Sequence, residues 1–373
     1  MMTPRLLARL TASWLVLVIG AIPAAALGAP GPVPPCDHGH IAAAGFVPRS
    51  LCQVLDAPLR DGANLHAIVI LRHGAPVAER YYSGKDRTIW MPFARTVQFD
   101  AATRHDIRSI SKSVTSLLWG IAQGEGRTPP LDTPVLGLYP ELADLKTQGR
   151  DTVTLRQLFT MTSGLEWEEP VRYGMRNDET GLYWRSSQAR YLFARPMGAA
   201  GRFNYNGGGT AVLAEVLARR VGMPLPEYAR SRLFAPLGIT DWEWQADLRG
   251  RPMAFAGLRL RPRDLATIGQ LVLQGGQWQG RQLVPAAWIA ESLQPRVETG
   301  DGLRYGYQWW SGTVEAAGGA HHWHAAFGNG GQRLFIVPSL ALVVVVTAGG
   351  YDDAASGRHA SSVFRALAGA VTR

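Results

Sequence analysis

Apolar, β-branched runs stand near both ends of this chain, and that placement restricts the fold more than any other feature. Residues 66–71 (His-Ala-Ile-Val-Ile-Leu) and 77–82 (Val-Ala-Glu-Arg-Tyr-Tyr) flank His73-Gly74-Ala75, the pattern of a β-hairpin. Far along the chain, residues 333–337 and 340–347 are again apolar and β-branched, around Pro338-Ser339. The stretch from about 130 to 300 reads instead as mainly helical with long loops. Within it, residues 211–220 contain neither Gly nor Pro and predict a helix. Residues 361–371 read as a closing helix. Sheet elements therefore come from both ends, with a helical region inserted between them.

Ahead of that inserted region lies Ser109-Ile110-Ser111-Lys112. Lysine is rare here: Lys85, Lys112 and Lys146 are the three lysines among 38 basic residues. Arginine stays protonated in proteins, whereas a buried lysine can shift toward neutrality and act as a base. Ser-x-x-Lys is the spacing of hydrolases in which lysine activates a serine nucleophile. Residues 109–123 predict a helix, with Ile110, Val114, Leu117, Leu118 and Ile121 forming one apolar stripe. Ser109, Lys112, Ser113 and Ser116 fall on another face. Residues three apart are neighbours on a helix, so the Ser109 hydroxyl and Lys112 amine can meet. The free N–H groups of a helix starting near Ser109 would favour an oxyanion there. The alternative is an exposed helix that happens to carry a Ser and a Lys.

The N-terminus has the pattern of a secretory signal over residues 1–29. Arg5 and Arg9 precede an apolar run from about Leu10 to Ile22, followed by Pro23-Ala24-Ala25-Ala26-Leu27-Gly28-Ala29. An uncleaved membrane anchor is the rival reading. Export implies an oxidising compartment, so Cys36 and Cys52, the only cysteines, predict a disulfide closing a small N-terminal loop; two free thiols are the alternative. Residues 30–62, rich in Pro, Ala and Gly, read as an extended lead-in to a domain spanning 63–373. The formal charge of +9 is spread as single arginines without a basic block, which describes solvated surface rather than a nucleic-acid patch. His321-His322-Trp323-His324 lacks nearby carboxylates or thiols, so it reads as an aromatic loop near a cleft mouth and not as a metal site.

Further stretches complete a recognisable set. They are Thr154-Leu155-Arg156-Gln157-Leu158-Phe159-Thr160-Met161-Thr162-Ser163-Gly164-Leu165, Gly201-Arg202-Phe203-Asn204-Tyr205-Asn206-Gly207-Gly208, Tyr305-Gly306-Tyr307-Gln308-Trp309-Trp310 and Gly328-Asn329-Gly330-Gly331-Gln332. With the Ser109 motif, in this order, the chain resembles the serine β-lactamase and penicillin-binding-protein superfamily. The resemblance is to the class C β-lactamase-like esterases and amidases, including 6-aminohexanoate-dimer hydrolases, from about residue 60 to the end. It implies an α/β (α+β) fold, with an antiparallel sheet flanked by helices, an all-helical domain and a catalytic cleft between them.

The resemblance also implies roles. Tyr205 becomes the third catalytic residue, a phenol whose pKa the Lys112 ammonium lowers so that the two share proton transfer. The family's usual Tyr-x-Asn is here Tyr205-Asn206-Gly207, so the amide at its third position is missing; Asn206 could replace it only by turning inward. The family's Lys-Thr-Gly or His-x-Gly matches Asn329-Gly330-Gly331, without the cation that meets a substrate carboxylate. The Gln332 N–H is the candidate second oxyanion donor beside that of Ser109. Glu166, Glu168, Glu169 and Tyr173 occupy a substrate-lining loop. The expected protein is an exported serine hydrolase of a small ester or amide, with a neutral Lys112 as base. It needs no metal or organic cofactor, nucleic acid or stable membrane partner, and would be a monomer or homodimer. A β-lactamase or D-alanyl-D-alanine carboxypeptidase, and a penicillin-recognising sensor that acylates without turnover, are the alternatives.

Overall fold

The computed structural model describes residues 36–169, 174 and 176–372. Its centre is an eight-stranded sheet. Strand β1 (Leu65–Arg72) and β2 (Ala75–Tyr81) form the expected hairpin. After the helical region come β3 (Val297–Glu298), β4 (Arg304–Tyr305), β5 (Trp310–Ala316), β6 (Gly319–Gly328), β7 (Gln332–Val337) and β8 (Leu342–Ala348). Their order is β3-β4-β5-β6-β7-β8-β1-β2, and every pairing is antiparallel. The last strand lies against the first, Val69 opposite Val345.

Continuous apolar runs make sense because the inner strands are covered on both faces. Side chains alternate along a strand. Val69, Val343 and Val345 belong to one core with Leu334 and Ile336; Ile68, Ile70, Leu342, Val344 and Val346 belong to the other with Phe335. Helix α1 (Pro48–Asp56) and the long helices α2 (Ile110–Gly124), α3 (Gly207–Val221), α4 (Pro262–Leu273) and α5 (Ala354–Gly369) supply the layers around it. Helix α4 packs on β1, β7 and β8, and α5 on β5, β7 and β8.

Three local expectations need correction. Residues 36–62 are not extended: His38–Ala43, α1 and Pro58–Asp61 are helical. Pro48 starts α1, a position where its missing N–H costs nothing, and Leu51, Cys52 and Leu55 bury one face. The Cys36–Cys52 disulfide ties this segment together, with Cα atoms 5.7 Å apart. The closing helix begins at Ala354, seven residues before the expected start, because Asp353 caps it by accepting from the Ala355 N–H. His321, His322, Trp323 and His324 lie within β6 rather than in a loop, and His321 is bonded to Ser339 and the Ala317 carbonyl. The signal-like segment lies outside the described residues. Among those described, no helix is long and apolar enough to cross a membrane.

Candidate active site

Helix α2 is buried from Ile110 to Ala122, so its polar face meets protein rather than water. The exposed-helix alternative is thereby excluded. Ser109 occupies the N-cap position, and Arg108 before it has φ +51°. This turn is knitted in place: the Ser111 hydroxyl donates to the Arg108 carbonyl and accepts from the Leu258 N–H, and the Ile107 N–H donates to the Leu258 carbonyl. Arg108 is buried, paired with Asp106 at 3.7 Å and stacked over Tyr351.

Lys112 Nζ donates to Ser109 Oγ at 2.9 Å and to the Phe255 carbonyl at 2.9 Å. Its ammonium lies 4.9 Å from the centre of the Tyr205 ring. Tyr205 and Ser109 line the same cavity. The three residues therefore meet although Tyr205 lies far along the chain. Two distant motifs arrange this. The turn at 161–164 holds the Tyr205 segment through Gly201 N–H to Thr162 O and Asn204 N–H to Met161 O. Gln308 joins three helices: its carbonyl accepts from Ser113, its Oε1 from Thr210, and its amide donates to Leu158 and Phe159.

Two glutamates, Glu179 buried and Glu169 half-buried, complete the site. Lys112 Nζ lies 3.7 Å from Glu169 Oε1 and 3.5 Å from Glu179 Oε2. Glu169 Oε2 accepts from Trp167 Nε1 at 2.9 Å and from the Gly207 N–H at 2.7 Å. Of the described loop candidates, Glu169 alone enters the site. Glu166 and Glu168 are exposed, and Tyr173 lies outside the described residues. Nothing in the spacing around Glu179 marks it as functional; the one available signal is the glycine at 207. A Cβ there would sit 3.1 Å from both Glu169 Oε2 and Glu179 Oε2, so the carboxyls fill the space left by the missing amide.

These charges revise the expected protonation. Burial disfavours a charged Lys112, but Tyr205, Glu169 and Glu179 outweigh it and hold the ammonium firmly protonated, so the amine does not rest neutral. Burial raises the Tyr205 phenol, more than Lys112 lowers it, so the expected depression is absent. Burial and the neighbouring Glu179 push Glu169 well above the carboxylate range, against the pull of Lys112.

Ser109, Tyr205 and Glu169 line a cavity of about 810 Å³, with Trp310 and Phe327 as apolar wall and Gly328, Asn329, Gly330 and Gly331 along one side. Gly330 and Gly331 have φ of +87° and +94°, which only glycine adopts readily. The Asn329 amide bonds Asp352. Two sequence candidates are not lining residues. Asn206 is buried as the cap of α3, accepting from the Gly209 N–H. Gln332 is fully buried at the start of β7, its amide donating to the Ala348 carbonyl. Gly328 lines the cavity instead, and β6 there abuts the turn before Ser109: a Cβ on Gly328 would meet the Ile107 carbonyl at 2.3 Å. Trp309 is core and Trp310 cavity wall. No group of three or more metal-ligating side chains occurs among the described residues.

The β-lactamase family model matches residues 61–363. The chain belongs to the β-lactamase family. It is 27% identical over 302 residues to the 6-aminohexanoate-dimer hydrolase of Paenarthrobacter ureafaciens, covering 75% of this chain and 71% of that one. Similar solved structures include a penicillin-binding-protein homologue from Caulobacter crescentus, with TM-score 0.65, 18% identity and coverage of 90% and 99% of the two chains. A class C β-lactamase aligns with TM-score 0.62 and 15% identity over 84% and 94%. The antiparallel sheet flanked by helices is this family's fold, and the protein is a hydrolase of the serine β-lactamase family.

Proposed function

We propose that this chain is an exported serine hydrolase that cleaves a small ester or amide through an acyl-enzyme on Ser109. The observation that carries the reading is the 2.9 Å contact of Lys112 Nζ with Ser109 Oγ, at the base of a cavity that Tyr205 also lines. Ser109 attacks the carbonyl while Lys112 and Tyr205 move its proton. The backbone N–H groups of Ser109 and Gly328 are the proposed oxyanion donors, Gly328 taking the place that the motif match suggested for Gln332. Tyr205 and Lys112 then protonate the leaving group and activate water for deacylation. The carboxyls beside Gly207, where β-lactamases carry an amide, and the aromatic wall favour simple esters or amides over β-lactams. The signal-like residues 1–29 and the Cys36–Cys52 bridge support export.

Ser109→Ala tests it. Hydrolysis of p-nitrophenyl butyrate should fall by a factor on the order of 10⁴ or more, with the melting temperature unchanged. A variant with near wild-type turnover would sink the mechanism. Parallel assays with linear amides and nitrocefin define the acyl group; nitrocefin turnover without ester or amide turnover would replace this reading with a β-lactamase.

A further inference from the structure

Both proton-transfer groups on Ser109 rest protonated: Lys112 as an ammonium and Tyr205 as a phenol. A resting ammonium cannot accept the serine proton unless it passes one on. Among the described residues, the carboxyls facing Lys112 are Glu169 and Glu179, at 3.7 and 3.5 Å. They come from separate parts of the chain and converge over Gly207, where a Cβ would crowd both at 3.1 Å. Glu169 is aimed by Trp167 Nε1 and the Gly207 N–H, and Tyr183 OH lies 3.5 Å from Glu179 Oε1.

We propose that Glu169 and Glu179 form a carboxyl–carboxylate pair that accepts the Lys112 proton as Lys112 takes the proton of Ser109. The inference rests on the hydrolase reading above and deepens it. In the step, the Oγ–carbon bond forms, the carbonyl π pair becomes the oxyanion, the Ser109 proton moves to Lys112 Nζ, and a Lys112 proton moves to the pair. The negative charge leaves the pair and appears on the oxyanion, so the total is conserved. Collapse of the intermediate returns the proton through Lys112 and Tyr205 to the leaving oxygen or nitrogen. Glu169 and Glu179 act through Lys112 and are positioning residues in this scheme. The other titratable groups around the pair are Tyr205, Tyr183 and Tyr305, with Arg108 acting on Tyr183. None of the three phenols supplies an alternative acceptor, because burial raises each of them.

The test measures kcat and KM for p-nitrophenyl butyrate from pH 5 to 10 in wild type, Glu169→Gln, Glu179→Gln and the double variant. The resting pair carries one negative charge, so Glu179→Gln leaves the protonated Glu169 to ionise in its place, and Glu169→Gln replaces a carboxyl that shares the proton with an amide that cannot. The acid limb of kcat/KM should move up by about one pH unit in Glu179→Gln and kcat should fall about 10-fold in each single variant, with KM within about twofold. The double variant should lose about 100-fold at neutral pH and recover as the pH rises and Lys112 itself deprotonates. An unmoved acid limb in both single variants, with kcat within about twofold of wild type, overturns the proposal. Should the glutamine variants fail to fold, Gly207→Ala crowds both carboxyls without changing their charge. It carries the same prediction of a shifted acid limb, and an unmoved limb again overturns it. Absence of wild-type turnover on every ester and amide would instead refute the hydrolase reading, a result distinct from an active enzyme with indifferent glutamates.

Discussion

Lys112 has two jobs that a substitution separates. It hydrogen-bonds the candidate nucleophile, and it balances the single negative charge of the Glu169–Glu179 pair in a site where Lys112 is 1% exposed and Glu179 fully buried. Ser109 has only the first. Lys112→Ala should therefore lose activity by about 10²-fold or more and also destabilise the fold by roughly 3–5 kcal/mol, because the pair's negative charge is left buried without its counter-charge. Ser109→Ala should lose activity alone. Thermal melts beside ester kinetics make the comparison, and equal melting temperatures for the two variants would contradict the account of Lys112. The sequence exposed the Ser109–Lys112 contact because helical spacing dictates it. It could not expose Glu179, which reaches the site through a short turn carrying no motif. The missing amide at Gly207 was visible as a loss; what was not visible is that two carboxyls lie 3.1 Å from where its Cβ would be.

At the scale of elements, strands and long helices were legible where periodicity and apolar runs were strong, as in β1, β8, α2 and α3. Boundaries failed where the deciding interaction is a cap or a turn. Asp353 starts α5 early, and Pro48 turns an apparently extended lead-in into helix. Gln332 was a candidate through its backbone N–H; the Gly330-Gly331 turn ends one residue before it, and β7 carries its side chain into the core while Gly328, on β6, lines the cavity. The β6–β7 hairpin is accordingly sensitive at its tip. Gly330 has φ +87°, and a Cβ there would lie 2.5 Å from the Tyr351 ring. Tyr351 in turn lies beneath Arg108, whose guanidinium is 4.2 Å from the ring centre. Gly330→Ala should cost about 1–3 kcal/mol through the left-handed backbone alone. It should also lower kcat by displacing the turn before Ser109. A variant with unchanged urea midpoint and unchanged kcat would show that the hairpin tip is neither strained nor coupled to the nucleophile.

For the whole molecule, the sheet's closure of β8 on β1 places the start and end of the domain in one core, and next to it lies a group of buried imidazoles. His66 stacks on Phe99 with ring centres 3.9 Å apart, and His105 stacks on the same ring at 4.6 Å. Both histidines are fully buried. Burial lowers His66 from 6.5 to about 4, partly offset by its bond to the Lys85 carbonyl, and lowers His105 well below its usual value. The sign follows from linkage. Above pH 6.5 both folded and unfolded chains hold a neutral His66, and it contributes no pH dependence. As the pH falls below 6.5 the unfolded chain takes a proton that the folded chain refuses, so stability drops. The drop approaches about 1.4 kcal/mol per pH unit for each such histidine and ends for His66 near pH 4, where the folded form titrates as well. Carboxylates add to the acid slope in every variant, so the histidine part is isolated by difference. His66→Gln, which cannot take up that proton, should lose stability at pH 8 through the lost stacking, yet show a slope between pH 6 and pH 4.5 that is shallower than wild type by close to one proton. Urea denaturation at a series of pH values measures both slopes. Parallel lines across that window would mean that His66 is already charged in the folded protein, and the buried neutral imidazole would have to be abandoned.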